Sequence, residues 1–107
     1  MINNIRAETS VIRHADRSFD VTLLKVNEAS QCILFAAGAG GSPLRHLELL
    51  QTFSRNGISV VAPHFERLTS STPSKADLLE RSQRLVLARD AFCQNYASIT
   101  GVGHSLG

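Results

Sequence analysis

Hydrophobic residues in this chain form short continuous runs, separated by longer stretches in which apolar positions recur with helical spacing. The opening of the chain differs, because residues 19–23 alternate apolar and polar side chains, as in a strand covered on one face. A shorter β-prone stretch at 9–13, with turn residues at 14–18 between the two, predicts an antiparallel hairpin at a sheet edge. Residues 31–36 are almost wholly apolar, which is typical of a strand covered on both faces. Further strands are predicted at 58–62 and 97–102.

Two amphipathic helices are predicted between these strands. Ser42 is a suitable N-cap for the first helix, and Gly57 is a suitable residue to end it. Ser74 and Asp77 have the spacing of a capping box, from which the second helix is expected to run to about Tyr96. The predicted core-facing residues are Leu44, Leu47, Leu50 and Phe53 in the first helix, and Leu78, Leu85, Ala88, Phe92 and Tyr96 in the second.

The order of these elements is hairpin, strand, helix, strand, helix, strand. Strands that alternate with amphipathic helices require right-handed crossovers and a parallel sheet. The predicted fold class is therefore α/β, with a mostly parallel sheet, flanking helices and an antiparallel N-terminal hairpin. Residues 1–107 contain no internal repeat and no linker, so the whole chain is predicted to belong to one domain.

The charge of the chain is weak and dispersed, with 11 Lys and Arg against 9 Asp and Glu. Arg81, Arg84 and Arg89 interleave with Glu80 and Asp90, which favours a solvated helix face over a phosphate-binding stripe. No nucleic-acid partner is expected. The chain has no run of about 18 apolar residues and no signal-like N-terminus, so no membrane association is expected and a cytoplasmic location is the default.

The two cysteines, Cys32 and Cys93, fall in a predicted strand and a predicted helix. Neither belongs to a C-x-x-C pair, so we expect buried reduced thiols and no metal site.

The candidate chemistry lies in two glycine-rich segments, each of which follows a predicted parallel strand. Residues 37–41 carry almost no side chains, and residues 103–107 read G-x-S-x-G around Ser105. This second pattern is that of a nucleophile elbow, in which a serine sits on a sharp strand-to-helix turn with its hydroxyl exposed. Open α/β sheets place their sites at the carboxyl ends of the strands, so the two segments are expected to face each other.

A nucleotide-binding role fits the glycine loop less well. Pro43 occupies the place where the G-x-G-x-x-G pattern requires its third glycine, and a hairpin precedes the strand. The chain also lacks the G-K-[ST] of a P-loop. No cofactor is therefore expected.

The stretches 34–43, 60–63 and 101–107 together resemble the α/β-hydrolase superfamily, and are most similar to its dienelactone-hydrolase-like branch. The resemblance implies a serine hydrolase acting on carboxylic esters or related small acyl substrates, with Ser105 as the nucleophile. It also implies that the backbone N–H groups of Ala39 and Leu106 form the oxyanion hole, with Gly40 as the next choice after Ala39.

The chain departs from the family's pattern in three ways. Many relatives carry His-Gly where this chain has Ala37-Gly38, and dienelactone hydrolases use cysteine where it has Ser105. The family's catalytic acid and histidine follow the nucleophile, whereas this sequence ends at Gly107. We therefore expect residues 1–107 to be the N-terminal half of one α/β-hydrolase domain, with little activity by itself. The alternative is an inactive hydrolase-like fragment or a partner-dependent interaction module, and an unpaired sheet edge predicts self-association.

None of the four histidines is a strong candidate for the catalytic base. His104 adjoins Ser105, but an elbow directs neighbouring side chains away from each other. His64 follows a predicted strand end, where a plain loop histidine is favoured over a catalytic one. His46 and His14 are expected at the surface.

Overall fold

A computed structural model describes residues 5–70 and 72–104 of the chain. These residues form one five-stranded sheet in the order β1-β2-β4-β3-β5. The strands are β1 (Glu8–His14), β2 (Arg17–Leu24), β3 (Gln31–Ala36), β4 (Ser59–Pro63) and β5 (Ser98–Gly103). The helices are a 3₁₀ turn (Pro43–His46), which leads directly into α1 (Leu47–Arg55), and α2 (Lys75–Phe92).

The pairing of the strands confirms the predicted mixed sheet. Strands β4, β3 and β5 are parallel, whereas β1 pairs antiparallel with β2, and β2 pairs antiparallel with β4. The predicted hairpin is therefore present, with β1 at one edge of the sheet. Its turn is tighter than expected, because His14 and Arg17 are still paired and only the two residues between them form the turn. Ala15, one of these two, has a positive φ of 56°.

Each face of the sheet is covered by one helix. Because successive strand residues point to opposite faces, the buried side chains divide into two clusters. The cluster on the α2 face contains Phe19, Val21, Leu23, Cys32, Val61, Ala88 and Cys93. The cluster on the α1 face contains Leu24, Ile33, Phe35, Ala37, Leu50, Val60 and Ala62. This arrangement leaves the ends of the strands free to form a site.

The segment after Ser42 begins as a 3₁₀ turn, which alters the predicted apolar stripe. The Ser42 hydroxyl accepts a hydrogen bond from the Leu44 N–H at 3.3 Å, as expected of an N-cap. Leu50 is fully buried as predicted, but Leu44 is 50% exposed, so its placement in the core was wrong. A 3₁₀ turn has three residues per turn rather than 3.6, which moves Leu44 off the buried face. Pro43 is buried in its place.

Helix α2 begins at the predicted capping box, in which Ser74 and Asp77 bond each other's backbone N–H groups at 3.1 Å. The helix ends at Phe92 rather than near Tyr96. The Gln94 side-chain amide donates to the Asp90 carbonyl at 3.1 Å, which satisfies one of the carbonyls left free at the end of the helix.

The buried face of α2 is the largest departure from the sequence-based expectation. Arg81 and Arg84 are each only 6% exposed, and Leu78, which was predicted to face the core, is 44% exposed. The prediction of a solvated arginine face is therefore wrong for Arg81 and Arg84. The side chain of Arg89 is half exposed, in agreement with it. The two buried arginines have hydrogen-bond acceptors that the sequence pattern did not reveal, and these belong to the site described next.

The two cysteines are buried, as predicted, and form no disulfide. Their Sγ atoms are 3.8 Å apart and share a hydrogen bond, although Cys93 caps α2 instead of lying within it. This hydrogen bond, together with burial, raises the pKa of the Cys32 thiol. Among residues 5–70 and 72–104, no three potential metal ligands cluster, and no helix is long and apolar enough to span a bilayer.

Candidate active site

A cleft of about 310 Å³ lies at the carboxyl ends of the adjacent parallel strands β3 and β5. The glycine loop, residues 37–42, follows β3, and His104 follows β5. The His104 N–H donates to the Ala36 carbonyl at 3.1 Å, so the chain leaves β5 directly beside the start of the loop. The cleft is lined by the glycine-loop residues Gly38, Ala39, Gly40, Gly41 and Ser42, and by Arg45, His46 and His104.

The glycine loop turns tightly, and one position in it requires glycine. The Gly41 N–H donates to the Gly38 carbonyl at 3.0 Å, which closes the turn. Gly41 has a φ of 83°, a conformation that L-residues rarely adopt. A Cβ atom at this position would also lie 2.2 Å from the carbonyl oxygen of Phe65. The loop after β4 therefore approaches the glycine loop too closely for any side chain at position 41.

Backbone hydrogen bonds join the glycine loop to the loop after β4. The Phe65 N–H donates to the Gly41 carbonyl at 2.9 Å, and the Leu68 N–H donates to the Ala39 carbonyl at 2.8 Å. These contacts hold the side of the glycine loop that faces away from the cleft.

The guanidinium of Arg81 completes this support from helix α2. It donates to the carbonyls of Ala37 at 3.1 Å, Gly38 at 2.8 Å and Ala39 at 3.3 Å, and to the Glu66 carbonyl at 3.0 Å. It also lies 4.7 Å from the centre of the Phe65 ring, a cation–π distance. Burial lowers the pKa of Arg81, and the nearby Asp77 carboxylate partly offsets this decrease.

Arg84 supports the second loop one helical turn further along α2. It donates to the His64 carbonyl at 2.9 Å and pairs with Glu80 at 3.0 Å and with Glu66 at 3.4 Å. Its guanidinium lies 4.9 Å from the centre of the Phe19 ring. Arg81 therefore supports the glycine loop, whereas Arg84 supports the loop after β4.

The predicted oxyanion-hole donors are partly within the described structure. Ala39 lies in the cleft wall and is exposed. The backbone N–H groups of Ala39 and Gly40 have no hydrogen-bond acceptor within the described residues. Ser105 and Leu106 lie outside the described residues, so their predicted roles stay predictions.

Two histidines form a ring pair at the cleft. The centres of the His46 and His104 rings are 4.4 Å apart, and the His46 ring is 5.5 Å from that of Phe35. His46 is half-buried rather than at the open surface as predicted, because its ring packs between these two. Burial lowers the pKa of His46, with smaller contributions from His104 and Arg45, which lower it further.

His64 lies apart from the cleft. Its Nε2 is 2.7 Å from the hydroxyl of Thr22, a fully buried residue of β2, and it is not among the residues that line the cleft. Burial lowers its pKa, against an opposing effect of Asp20. The contact supports the interpretation of His64 as a structural loop residue. His14 is exposed on the hairpin as expected, 3.3 Å from the side-chain amide of Gln83.

The sequence interpretation missed Arg81 as a site residue, although a signal was present. Arg81, Arg84 and Ala88 recur at helical spacing on one face of α2, and Ala88 had been assigned to that helix's core face. A loop of glycine and alanine has no side-chain donors of its own. Its carbonyls therefore need partners from elsewhere in the chain.

Solved structures with a similar fold include a dienelactone hydrolase and two esterases. The structure superposes on a dienelactone hydrolase from Anabaena variabilis with a TM-score of 0.71 and 17% sequence identity, covering 94% of this chain and 53% of that one. It superposes on a thermostable esterase from Pseudomonas putida with a TM-score of 0.68 and 12% identity, covering 96% and 35%. For the esterase Pf2001 of Pyrococcus furiosus the TM-score is 0.68 at 14% identity, covering 96% and 43%.

The sequence itself matches no protein-family model, and the comparison with curated proteins found no match. The chain spans about half the length of the dienelactone hydrolase and less than half the length of the two esterases. At these identities the likeness concerns the fold. The fold class predicted from the sequence is confirmed: the chain has an α/β architecture of the α/β-hydrolase type.

Proposed function

We propose that this chain carries the nucleophile and oxyanion hole of a serine hydrolase that acts on carboxylic esters or related small acyl substrates. In this proposal the Ser105 hydroxyl attacks the acyl carbonyl. The N–H groups of Ala39 and Leu106 then bind the negative charge that develops on the carbonyl oxygen. As the bond between the Ser105 oxygen and the acyl carbon forms, the C–O bond of the ester breaks and the alcohol leaves, taking up a proton in place of the one that Ser105 loses. Water then hydrolyses the acyl-serine, which releases the carboxylic acid and restores the Ser105 hydroxyl.

The observation that carries the proposal is the hydrogen bond from the His104 N–H to the Ala36 carbonyl. It holds the residue before Ser105 at the point where the glycine loop leaves β3. In the same cleft, the N–H groups of Ala39 and Gly40 lack acceptors within the described residues. A serine that follows His104 would adjoin these two amides at the carboxyl edge of the parallel sheet, which supports the proposal that it serves as the nucleophile of an acyl transfer.

The proposal is tested with the 107-residue chain and its Ser105→Ala variant. A fluorophosphonate probe is expected to label the wild-type chain at Ser105, as located by peptide mass spectrometry, and not to label the variant. Hydrolysis of p-nitrophenyl acetate is expected to be far below triad-like rates but above that of the variant, because an oxyanion hole alone retains some catalysis. Equal rates for the two proteins, together with probe bound elsewhere, would refute the assignment.

A second function, that of a partner-dependent interaction module, is favoured by the exposed edge of β5. Within the described residues β5 pairs only with β3, and Ile99 is 41% exposed. Beside it lies an apolar groove of about 290 Å³, lined by Leu34, Ala36, Leu85, Gly101, Val102 and Gly103. An unpaired apolar strand edge is a template for another chain, so we propose that the isolated protein self-associates there.

Analytical ultracentrifugation of two variants tests whether self-association uses the β5 edge or the β1 edge of the sheet. A charged residue on an edge strand opposes pairing, so Ile99→Lys is expected to shift the protein toward monomer. Val11→Lys is the matched control, because Val11 is 48% exposed on β1, the opposite edge strand. A wild-type chain that sediments as a monomer would contradict the proposal, as would equal effects of the two substitutions. Ester turnover after mixing with a polypeptide that supplies an acid and a histidine decides between an inactive module and a partner-dependent enzyme.

A further inference from the structure

We propose that Arg81 is a positioning residue for the glycine loop. By binding the carbonyls on one side of the loop backbone, it keeps the amides of Ala39 and Gly40 directed to the other side, toward the cleft. This inference rests on the proposed function for its catalytic meaning. The loop geometry from which it is argued involves only described residues and does not depend on the proposed function.

The argument begins with peptide geometry. In a trans peptide the C=O of one residue and the N–H of the next point in opposite directions. The structure has no cis peptide among its described residues. Because the carbonyls of Gly38 and Ala39 are directed to the Arg81 guanidinium, the N–H groups of Ala39 and Gly40 point away from it.

The side to which these amides point is the cleft. Arg81 reaches the glycine loop from α2, on one face of the sheet, whereas the cleft is lined by Arg45 and His46 of the 3₁₀ turn, which leads into α1 on the other face. The two amides have no acceptor within the described part of the chain. One side chain therefore helps to fix the direction of both donors, together with the backbone bonds from Gly41 and Leu68, without lining the cleft itself.

No other side chain in the described structure bonds the carbonyls of the glycine loop. Within the described residues, two of the carbonyls that Arg81 binds accept one further hydrogen bond each, both from backbone: the Leu68 N–H donates to the Ala39 carbonyl and the Gly41 N–H to the Gly38 carbonyl. A planar guanidinium bonds several carbonyls at once, which the single ammonium of lysine does not reproduce. If the guanidinium is removed, the Ala37 carbonyl loses its hydrogen bond, and the carbonyls of Gly38 and Ala39 each keep a single backbone bond, so the peptide groups at 37–39 are held less firmly.

Arg84 provides a matched control on the same helix. It is as buried as Arg81, at 6% exposure each, and it also packs on a phenylalanine ring. Its partners are the His64 carbonyl and two carboxylates, and none of them belongs to the glycine loop. Arg84→Met therefore removes an equally buried guanidinium while leaving the hydrogen bonds from Arg81 to the glycine loop in place.

The first experiment reads the loop directly in the 107-residue chain. Two-dimensional ¹H–¹⁵N spectra and amide hydrogen exchange are recorded for wild type, Arg81→Met, Arg81→Lys and Arg84→Met. We expect the Ala39 and Gly40 amides to shift and their exchange to change in both Arg81 variants, but to stay near wild type in Arg84→Met. Unchanged amides in Arg81→Lys and Arg81→Met would overturn the inference, as would equal changes in Arg84→Met. If Arg81→Met fails to fold, Arg81→Lys decides.

The second experiment measures kcat and KM for hydrolysis of p-nitrophenyl acetate, counting only the turnover that is lost in Ser105→Ala. Loss of one oxyanion donor lowers kcat by about 100- to 1,000-fold in known cases, so a misdirected donor in Arg81→Met is expected to lower kcat by roughly 10- to 100-fold. KM is expected to stay within about threefold, since a residue that acts only on the transition state leaves ground-state binding unchanged. Arg84→Met is expected to keep kcat within about threefold.

Chemical rescue separates positioning from general stability. Arg81 borders a cavity of about 440 Å³ on the side away from the cleft, which gives small cations access to the position of its guanidinium. Millimolar guanidinium is expected to restore part of kcat in Arg81→Ala and to leave Arg84→Ala unchanged. If both variants respond alike, or kcat in Arg81→Met equals wild type, the inference is wrong. If wild type shows no turnover that depends on Ser105, the proposed function fails, and the spectra still decide the role of Arg81.

Discussion

Replacement of Gly41 by alanine, compared with the same change at Gly57, measures how firmly the two loops behind the cleft are joined. Both glycines have a φ of 83°, so alanine pays the same backbone penalty at each, roughly 1–2 kcal/mol. Alanine also lowers the conformational entropy of the unfolded chain, which offsets about 0.4–1 kcal/mol of this penalty. At Gly57 a Cβ would meet nothing within 4 Å, so the net loss there is expected to be about 1 kcal/mol.

At Gly41 the new Cβ would lie 2.2 Å from the Phe65 carbonyl oxygen, and the two loops must separate to admit it. Separation breaks the hydrogen bonds from Phe65 N–H to the Gly41 carbonyl and from Leu68 N–H to the Ala39 carbonyl. At about 1 kcal/mol for each bond, Gly41→Ala is expected to lose about 2 kcal/mol more than Gly57→Ala.

The assay is urea unfolding followed by circular dichroism, at one protein concentration because association contributes to apparent stability. The two variants should share an m-value and differ in midpoint. Hydrogen exchange should rise at residues 38–42 and 64–68 in Gly41→Ala, and stay unchanged there in Gly57→Ala. Equal midpoints for the two variants, with no local rise in exchange, would show that the close approach of the loops is not present in solution.

Three further predictions concern the packing around the site. His64 has a lowered pKa in the folded state, so its contribution to stability is complete above the unfolded pKa of about 6.5 and is lost as pH falls through the folded value. His64→Gln should therefore flatten the pH dependence of the urea midpoint below about pH 6.5, whereas an unchanged slope would contradict this. Ser74→Ala should lower the free energy of unfolding by about 1 kcal/mol, because its hydroxyl caps α2, and a loss near zero would show the cap to be dispensable. Cys32 and Cys93 should react with a maleimide only at the rate of global unfolding, since both are buried; rapid labelling in native buffer would refute this.

Local signals explain why most of the elements could be predicted from the sequence. The strand at 31–36 was predicted with the bounds that the structure has, because a continuous apolar run between polar breaks has few other solutions. The capping box at Ser74 was likewise evident, because its donors and acceptors lie within four residues of one another. Such features depend on neighbours in the chain and not on the rest of the fold.

Features that depend on distant partners could not be predicted in this way. Leu44 is exposed because it lies in a 3₁₀ turn. The hydrophobic pattern of the sequence does not distinguish such a short turn from the first turn of an α-helix. The position of His46 against His104 depends on contacts across 58 residues of chain, and periodicity says nothing about them. The interpretation of Arg81 as a solvated residue followed average behaviour, since arginine is rarely buried unless it is paired.

The burial of Arg81 has a cause that lies in the glycine loop itself. The close turn at Gly41 and the approach of neighbouring backbone keep side chains small there, so residues 37–41 supply no side-chain donors for their own carbonyls. A buried carbonyl without a partner costs about 1–3 kcal/mol. The carbonyls of Ala37, Gly38 and Ala39 are all directed toward α2, and within the described residues that of Ala37 has no partner other than Arg81, whereas the other two each also accept one backbone N–H. The cost of burying one guanidinium is offset when it satisfies all three of these carbonyls together with the carbonyl of Glu66. When the amides of a loop are directed toward a cleft, the carbonyls of the same peptide groups point to the other side and need hydrogen-bond donors there. In this fold helix α2 provides that donor, Arg81.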